Sequence, residues 1–355
     1  MLLSLAALTG CGGSSSAPYV SDIQANQLTY AQTTQFSVTG SYLDAGLNVT
    51  AKGCKSFTTP SAATNSGSTW NCVVDAVGTG AVVVQVSKAT GEVLLSKSFD
   101  IPAPATPVVL SIKADNLMFS KSAQFIMTGY SLDKDFNVST KNCKGLALVS
   151  GGSSTSKSVT CNVGAVGTGA ISFDAKMADG TVLKSASFDV PNPQVSMVTN
   201  LGTLKLELNS TAAPLTVGNY LQYVNDKFYD NTIIHRIVTR DIFVAQGGWL
   251  SPTPAIQPGQ RAAIALEVGK GLSNVKGTIA MARASDLNTA TSQFFFNLSD
   301  NTALDTANGG YAVFGKVVSG LAVLDAMAKV PTATQFGLND FPNQSIVVQS
   351  VTQTQ

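Results

Sequence analysis

A chain of 355 residues is long enough for two to three domains, each burying its own core. Its 22 basic and 21 acidic residues nearly cancel and show no Lys/Arg cluster, which excludes nucleic acid or an acidic polymer as the main partner. Only 12% of residues are charged while Gly, Ser, Thr and Val are plentiful, the composition of short strands and turns and not of long helices.

The chain opens on an apolar run, Met1–Gly10, too short to span a bilayer as a helix. The run ends in Leu8-Thr9-Gly10-Cys11, which resembles the lipobox of bacterial lipoproteins. That resemblance implies a lipid on Cys11, and so a membrane as a partner, although the usual opening Lys/Arg are missing. Residues 1–10 then read as a signal segment and residues 11–18, rich in Gly and Ser, as a flexible tether. Gly12 after the cysteine, where Asp would signal retention, points to the outer membrane, with the chain facing the periplasm of the cell envelope.

Residues 19–103 and 108–192 repeat each other without a gap. Gln35-Phe36-Ser37-Val38-Thr39-Gly40 matches Gln124-Phe125-Ile126-Met127-Thr128-Gly129, and Val77-Gly78-Thr79-Gly80-Ala81 matches Val166-Gly167-Thr168-Gly169-Ala170. The cysteines keep the same offset, 89 residues from Cys54 to Cys143 and from Cys72 to Cys161, leaving Cys11 alone. Equal spacing suggests two disulfides, Cys54–Cys72 and Cys143–Cys161, and an oxidising compartment. A metal site is disfavoured because the single histidine, His235, is far away in the chain. Runs such as Ala81–Val86 and Ile171–Ala175, bounded by turn residues and lacking a helical period, argue for two tandem β-sandwiches of immunoglobulin-like type. The short Cys–Cys loop would fasten neighbouring strands, and the long Cys…Trp…Cys spacing of antibody domains is missing. The VGTG segments read as turns, since no Gly-Lys-Ser/Thr follows. Ala103-Pro104-Ala105-Thr106-Pro107 and Pro191-Asn192-Pro193 read as stiff linkers between three bodies.

From residue 194 the texture changes. Met197–Leu208 reads as a hairpin with Leu204, Leu206 and Leu208 on one face, and Thr216–Asn225 places Val217, Tyr220, Leu221 and Val224 at helical spacing. Leu321, Leu324 and Ala328 repeat that spacing after Ser319. Between the helices lie His235-Arg236-Ile237, Phe243-Val244-Ala245-Gln246-Gly247-Gly248, Gly277–Arg283, Ser292-Gln293-Phe294-Phe295, Leu304-Asp305 and Tyr311–Val317. In that order the blocks resemble the cyclophilin-type peptidyl-prolyl isomerases in their bacterial periplasmic form, over residues 194–352. The resemblance implies a mainly β chain whose last domain, residues 194–355, is a closed antiparallel β-barrel capped by two helices. Closure also removes exposed strand edges.

The same resemblance implies rotation about X-Pro bonds of proline-containing clients, with no cofactor. Arg236 would be the catalytic donor, with Phe243, Phe295 and Leu304 forming an apolar slot for the proline ring. Gln246 and the Ala282 backbone would hold the flanking peptide, with Val244, Arg283, Gln293 and Tyr311 completing the substrate site. His235 reads as a structural neighbour, not a general base. The site departs from the family pattern in Ala303 where Trp is common, Tyr311 where His is common, Val244 for Met and Arg283 for Asn. Ala303 implies weak cyclosporin binding. The turn from Arg236 to Phe243 is also longer than the family's. Two other functions compete: a chaperone that grips proline-containing segments without turnover, and a surface adhesin working through its sandwiches. The presence of Arg236 and the aromatic slot favours the enzyme.

Overall fold

The computed structural model describes residues 17–59 and 62–355; the signal segment, the lipidation position Cys11 and most of the tether lie outside the described residues. Along Thr33–Ser41 the side chains alternate, with Thr34, Phe36 and Val38 buried, the period-2 pattern of a strand with one face on a core. That strand lies in a four-stranded antiparallel sheet ordered Tyr19–Ala25, Thr33–Ser41, Gly67–Val74 and Cys54–Thr58. A three-stranded sheet is ordered Leu47–Lys52, Gly78–Lys88 and Val93–Ile101. Ile23, Phe36, Val38 and Val74 from the first sheet share one core with Val82, Val84 and Val86 from the second. Cys54 and Cys72 are disulfide-bonded between adjacent strands, so the bridge staples neighbours as the spacing suggested.

Residues 108–192 form sheets of the same sizes. Cys143–Leu148, Ser156–Val163, Ser122–Tyr130 and Val108–Asp115 make the four-stranded one, and Asn137–Lys141, Gly167–Lys176 and Val182–Val190 the three-stranded one. Phe125 stacks on Phe173 at 5.2 Å between ring centroids, and Cys143 is bonded to Cys161. By chain contacts the molecule divides into two compact units. One comprises the described part of Met1–Leu110 with Thr128–Asp135 and Ser153–Ser156; the other comprises Ser111–Met127, Phe136–Gly152 and Lys157–Gln355. Within the second unit Phe119 is buried in the barrel's main hydrophobic cluster, and Gln353 donates a hydrogen bond to its carbonyl, 3.0 Å.

The C-terminal strands are β1 (Gln194–Thr199), β2 (Gly202–Leu208), β3 (Thr232–Arg240), β4 (Ile242–Gly247), β5 (Thr278–Met281), β6 (Phe294–Asn297), β7 (Val313–Ser319) and β8 (Ile346–Gln353). They close an eight-stranded barrel in the order β1-β2-β7-β5-β6-β4-β3-β8, with β8 pairing back onto β1. Leu204, Leu206 and Leu208 point inward. Helix α1 (Pro214–Asn225) starts two residues before the predicted span because Pro214 sits in its first turn, where a missing N–H costs nothing. Glu267 accepts the N–H groups of Leu215 and Thr216 and so caps that end from a distant loop. Val217, Tyr220, Leu221 and Val224 are buried as the spacing predicts. Helix α2 (Leu321–Met327) departs from it. Its buried face is Val323, Leu324 and Met327, while Leu321 is 47% exposed, since the helix begins only after the left-handed Gly320 and Leu321 falls in its first turn. A two-stranded hairpin, Thr332–Gln335 with Leu338–Pro342, is an element the sequence reading did not contain.

The 18-residue separation of Cys54 and Cys72 sets the size of the staple. Replacing both by Ala is expected to lower stability by about 3 kcal/mol, chiefly by freeing the unfolded chain. Urea unfolding of the full chain measures the loss; an unchanged first transition would contradict it.

Candidate active site

The barrel wall is one residue thick, so every strand gives alternate side chains to the core and to the outer surface. On β4, Ala245 enters the core while Ile242, Val244 and Gln246 turn outward. On β6, Phe294 and Phe296 point inward and Phe295 outward. The outward side chains Val238, Val244, Ala280, Phe295, Leu304 and Val313 form a second, smaller apolar cluster. Beside it opens a recess with about 130 Å³ of room. Ile242, Val244, Ala282, Phe295, Leu304 and Tyr311 are its less polar lining, and Arg236, Gln246 and Arg283 its strongly polar one.

Arg236 reaches the recess through an irregularity in β3. Ile234 pairs with Gly247 and Arg236 with Gln246, so the extra residue on β3 is His235. Ile234 and Ile237 both face the core, and the two residues between them are left outside it. An extra residue of this kind re-aims a side chain next to a site. Here His235 turns to the indole of Trp249, 5.3 Å between ring centroids, and Arg236 turns to the recess. Beyond Arg236 the β3–β4 hairpin closes with Arg240 paired to Ile242 across a left-handed Asp241, φ +60°.

Arg236 keeps its side chain 39% exposed and makes two long polar contacts: Nη1 donates to Gln246 Oε1 at 3.4 Å, and Nε lies 3.8 Å from Asp340 Oδ2. Gln246 is fixed in turn by donating to Gln293 Oε1, 2.9 Å. Gln293 lines a neighbouring recess that shares Arg236 and Gln246 with this one. Arg283 differs from Arg236 in kind. Its guanidinium donates to the carbonyls of Ala284, Ser285, Asn308 and Gly310 and lies over the Tyr311 ring, 4.8 Å away. Tyr311 meets Phe295 edge-on at 5.8 Å. Ala282 spends its N–H on the Gln293 carbonyl, 3.0 Å.

Phe243 needs correction as a wall of the slot. It is 39% exposed and absent from the recess, because alternation along β4 turns it opposite to Ile242 and Val244. Ile242 takes the place expected of it. What Phe243 supplies is backbone: its N–H donates to Asn301 Oδ1 and its carbonyl accepts from Asn301 Nδ2. Asn301 is buried and also donates to Asn297, which donates to Asn274, which donates to Asp305. This amide chain ties β4 to the turn that carries Leu304. Nothing in the local pattern of Asn301 or Ile242 marks them for these roles; only the parity of the strand pointed to Ile242.

His235 is 3% exposed, and its Nδ1 has no hydrogen-bond partner among the described residues. Burial, with the positive charge of Arg236 adding to it, pushes its pKa down from 6.5 to about 4. The ring is therefore neutral near pH 7 and is no proton donor there. Because the folded pKa is depressed below the unfolded one, the unfolded chain takes up the proton first as pH falls. The stabilisation, about 3 kcal/mol from a shift of this size, is complete above pH 6.5 and is lost towards pH 4. As this is the only histidine, its ring C–H signals titrate without overlap. A midpoint near 4, with a decline in stability between pH 6.5 and 4 that His235→Gln reduces, is expected; a midpoint near 6.5 would contradict the burial argument.

A family model described as cyclophilin type peptidyl-prolyl cis-trans isomerase/CLD matches residues 194–353. The peptidyl-prolyl cis-trans isomerase of Acinetobacter baylyi is 42% identical over 162 residues, 45% of this chain and 85% of that protein. Peptidyl-prolyl cis-trans isomerase A of Dickeya dadantii is 39% identical over 177 residues, 48% of this chain and 92% of that one. A crystal structure of a Cryptosporidium parvum cyclophilin type isomerase shares 27% identity, with a TM-score of 0.38, over 46% of this chain and 99% of that one.

Proposed function

The chain belongs to the cyclophilin-type peptidyl-prolyl cis-trans isomerases through residues 194–353, and from that premise we propose that it turns over X-Pro bonds at the recess around Arg236. The substrates are proline-containing polypeptides outside the cytoplasm. One observation carries the assignment of the site: a guanidinium with unsaturated contacts stands at an apolar recess walled by Val244, Phe295 and Leu304.

The chemistry asks little of the protein. Amide resonance sets a barrier of about 18–20 kcal/mol, and uncatalysed X-Pro exchange takes tens to hundreds of seconds. The prolyl nitrogen has a usable lone pair only when the amide is twisted out of conjugation. A donor aimed at that nitrogen stabilises the twisted state and not the planar one, which is the condition for raising kcat. Arg236 fits this role because a guanidinium is a planar, cationic donor. Val244, Ile242, Phe295 and Leu304 receive the proline ring, and Tyr311, held by Arg283, closes one side. Gln246 pairs with the flanking peptide, as does Ala282 through its carbonyl, its N–H being engaged. No proton moves, which agrees with a neutral His235.

The two N-terminal segments are read as tandem immunoglobulin-like sandwiches that hold the barrel away from a membrane or recruit clients. Support comes from the repeated blocks, the equal sheet sizes and two disulfides, which persist in oxidising compartments. The anchor proposed is a lipid on Cys11, supported by Leu8-Thr9-Gly10-Cys11. Protein made in a diderm bacterium is expected in the membrane fraction, with the mass of a diacylglyceryl-modified chain beginning at Cys11. Cys11→Ser should release it; unmodified soluble protein from the wild-type sequence would overturn the anchor.

The activity test is Arg236→Lys, which keeps the charge and loses the planar fork. Turnover of an Ala-Pro peptide, read by exchange NMR, should fall about 10²–10³-fold with little change in peptide affinity or melting. His235→Ala should keep most turnover. Near-normal turnover in the Arg236→Lys enzyme would remove Arg236 from the donor role.

A further inference from the structure

The hairpin Thr332–Gln335/Leu338–Pro342 is seated on the outer face of β3. Leu338 and Phe341 pack with Ile233, Leu250 and Trp249, which fixes its position against the strand that carries Arg236. Between them it delivers one carboxylate. Asp340 is only 9% exposed and stands in the left-handed region, φ +59°. Its Oδ2 lies 3.8 Å from Arg236 Nε, and its Oδ1 lies 2.7 Å from Arg240 Nη2.

These contacts address the guanidinium of Arg236 from two sides. Gln246 accepts from Nη1 and Asp340 faces Nε, so the plane of the group is defined by its neighbours while Nη2 has no acceptor among the described residues. A free arginine side chain samples many rotamers, and a donor that must meet a developing lone pair works best when its orientation is set beforehand. Arg240 matters for the same reason. By engaging Oδ1 at the short distance it keeps the carboxylate from forming a two-pronged pair with Arg236, which would consume two donors and draw the group out of the recess. Two guanidiniums share one carboxylate, and a positive charge stays at the recess.

We propose that Asp340 is a positioning residue for prolyl isomerisation: it holds Arg236 by its Nε edge, with Arg240 limiting the strength of that grip. The inference rests on Arg236 being the donor. Asp340→Asn is the informative change, because among neutral residues with a side chain Asn tolerates the left-handed backbone best, and it keeps the side-chain shape.

The test uses the full chain and an Ala-Pro peptide. Asp340→Asn is expected to lower kcat about ten- to a hundredfold with KM nearly unchanged, the loss expected of a misplaced catalytic group. In an Arg236→Lys background it should produce no further loss, since the two residues act as one unit. Near-normal turnover of Asp340→Asn beside an impaired Arg236→Lys overturns the positioning role alone. Near-normal turnover of Arg236→Lys overturns the donor assignment and this inference with it. Equal losses in both backgrounds show a merely structural effect and also overturn it. If Asp340→Asn does not fold, the Nε–H signal of Arg236 in the wild-type protein, assigned by its loss in Arg236→Lys, decides. Slow exchange with water supports the contact, and fast exchange overturns it.

Discussion

Everything at the recess depends on the barrel wall being a single layer. Phe294 and Phe296 hold the core against Tyr220 of α1 and each other, and Phe295 between them is thereby held outward. The same argument places Val244 and Gln246 once Ala245 is inside. The recess side chains inherit their orientation from core packing, so rigid strands, not mobile loops, carry most of the site. A strict alternation would nevertheless leave β3 with a conflict, because Ile234 and Ile237 are both needed in the core. The extra residue at His235 resolves it and turns Arg236 to the recess.

Two arginines line this recess, and their hydrogen bonds separate them. Arg283 donates to backbone carbonyls on two loops and lies over Tyr311; its donors are engaged in holding the rim. Arg236 makes contacts of 3.4 and 3.8 Å and retains donor capacity. A guanidinium saturated by short bonds would have to break them to stabilise a substrate. One held at the limits of contact reorients little and loses little. The two arginines thus differ in donor capacity: Arg283 is engaged by backbone carbonyls and Arg236 is not.

Much of this was legible in the sequence where its signal was local. Period 2 in Leu204–Leu208, helical spacing in Val217–Val224, the cysteine spacing and the ordered blocks from His235 to Val317 each rest on residues close in the chain, and the structure places those elements accordingly. The failures have physical causes too. The resemblance puts Phe243 in the slot, but its parity with Ala245 sets it opposite Val244, and Ile242, which shares Val244's parity, lines the recess. Leu321 matched a helical period but fell before the helix's buried face began. Asn301 and Asp340 act across 58 and 104 residues, respectively, from Phe243 and Arg236, and separations of that size leave no trace in a local pattern.

An isomerase of this kind lowers a barrier equally from both sides, so the client's own folding decides which isomer accumulates. On the proposed reading the recess receives a proline ring and its immediate neighbours, and Gln246 and the Ala282 carbonyl meet peptide backbone and not a particular sequence. Selectivity among clients then has to come from surface outside the recess, or from where the enzyme is held. On the reading proposed above, that is the task left to the N-terminal segments. They are built for persistence, as strands paired in sheets and stapled between neighbours by Cys54–Cys72 and Cys143–Cys161. A bridge of that sort adds nothing to the bond-rotation step; it lowers the entropy of the unfolded chain and suits a surface exposed to an oxidising milieu.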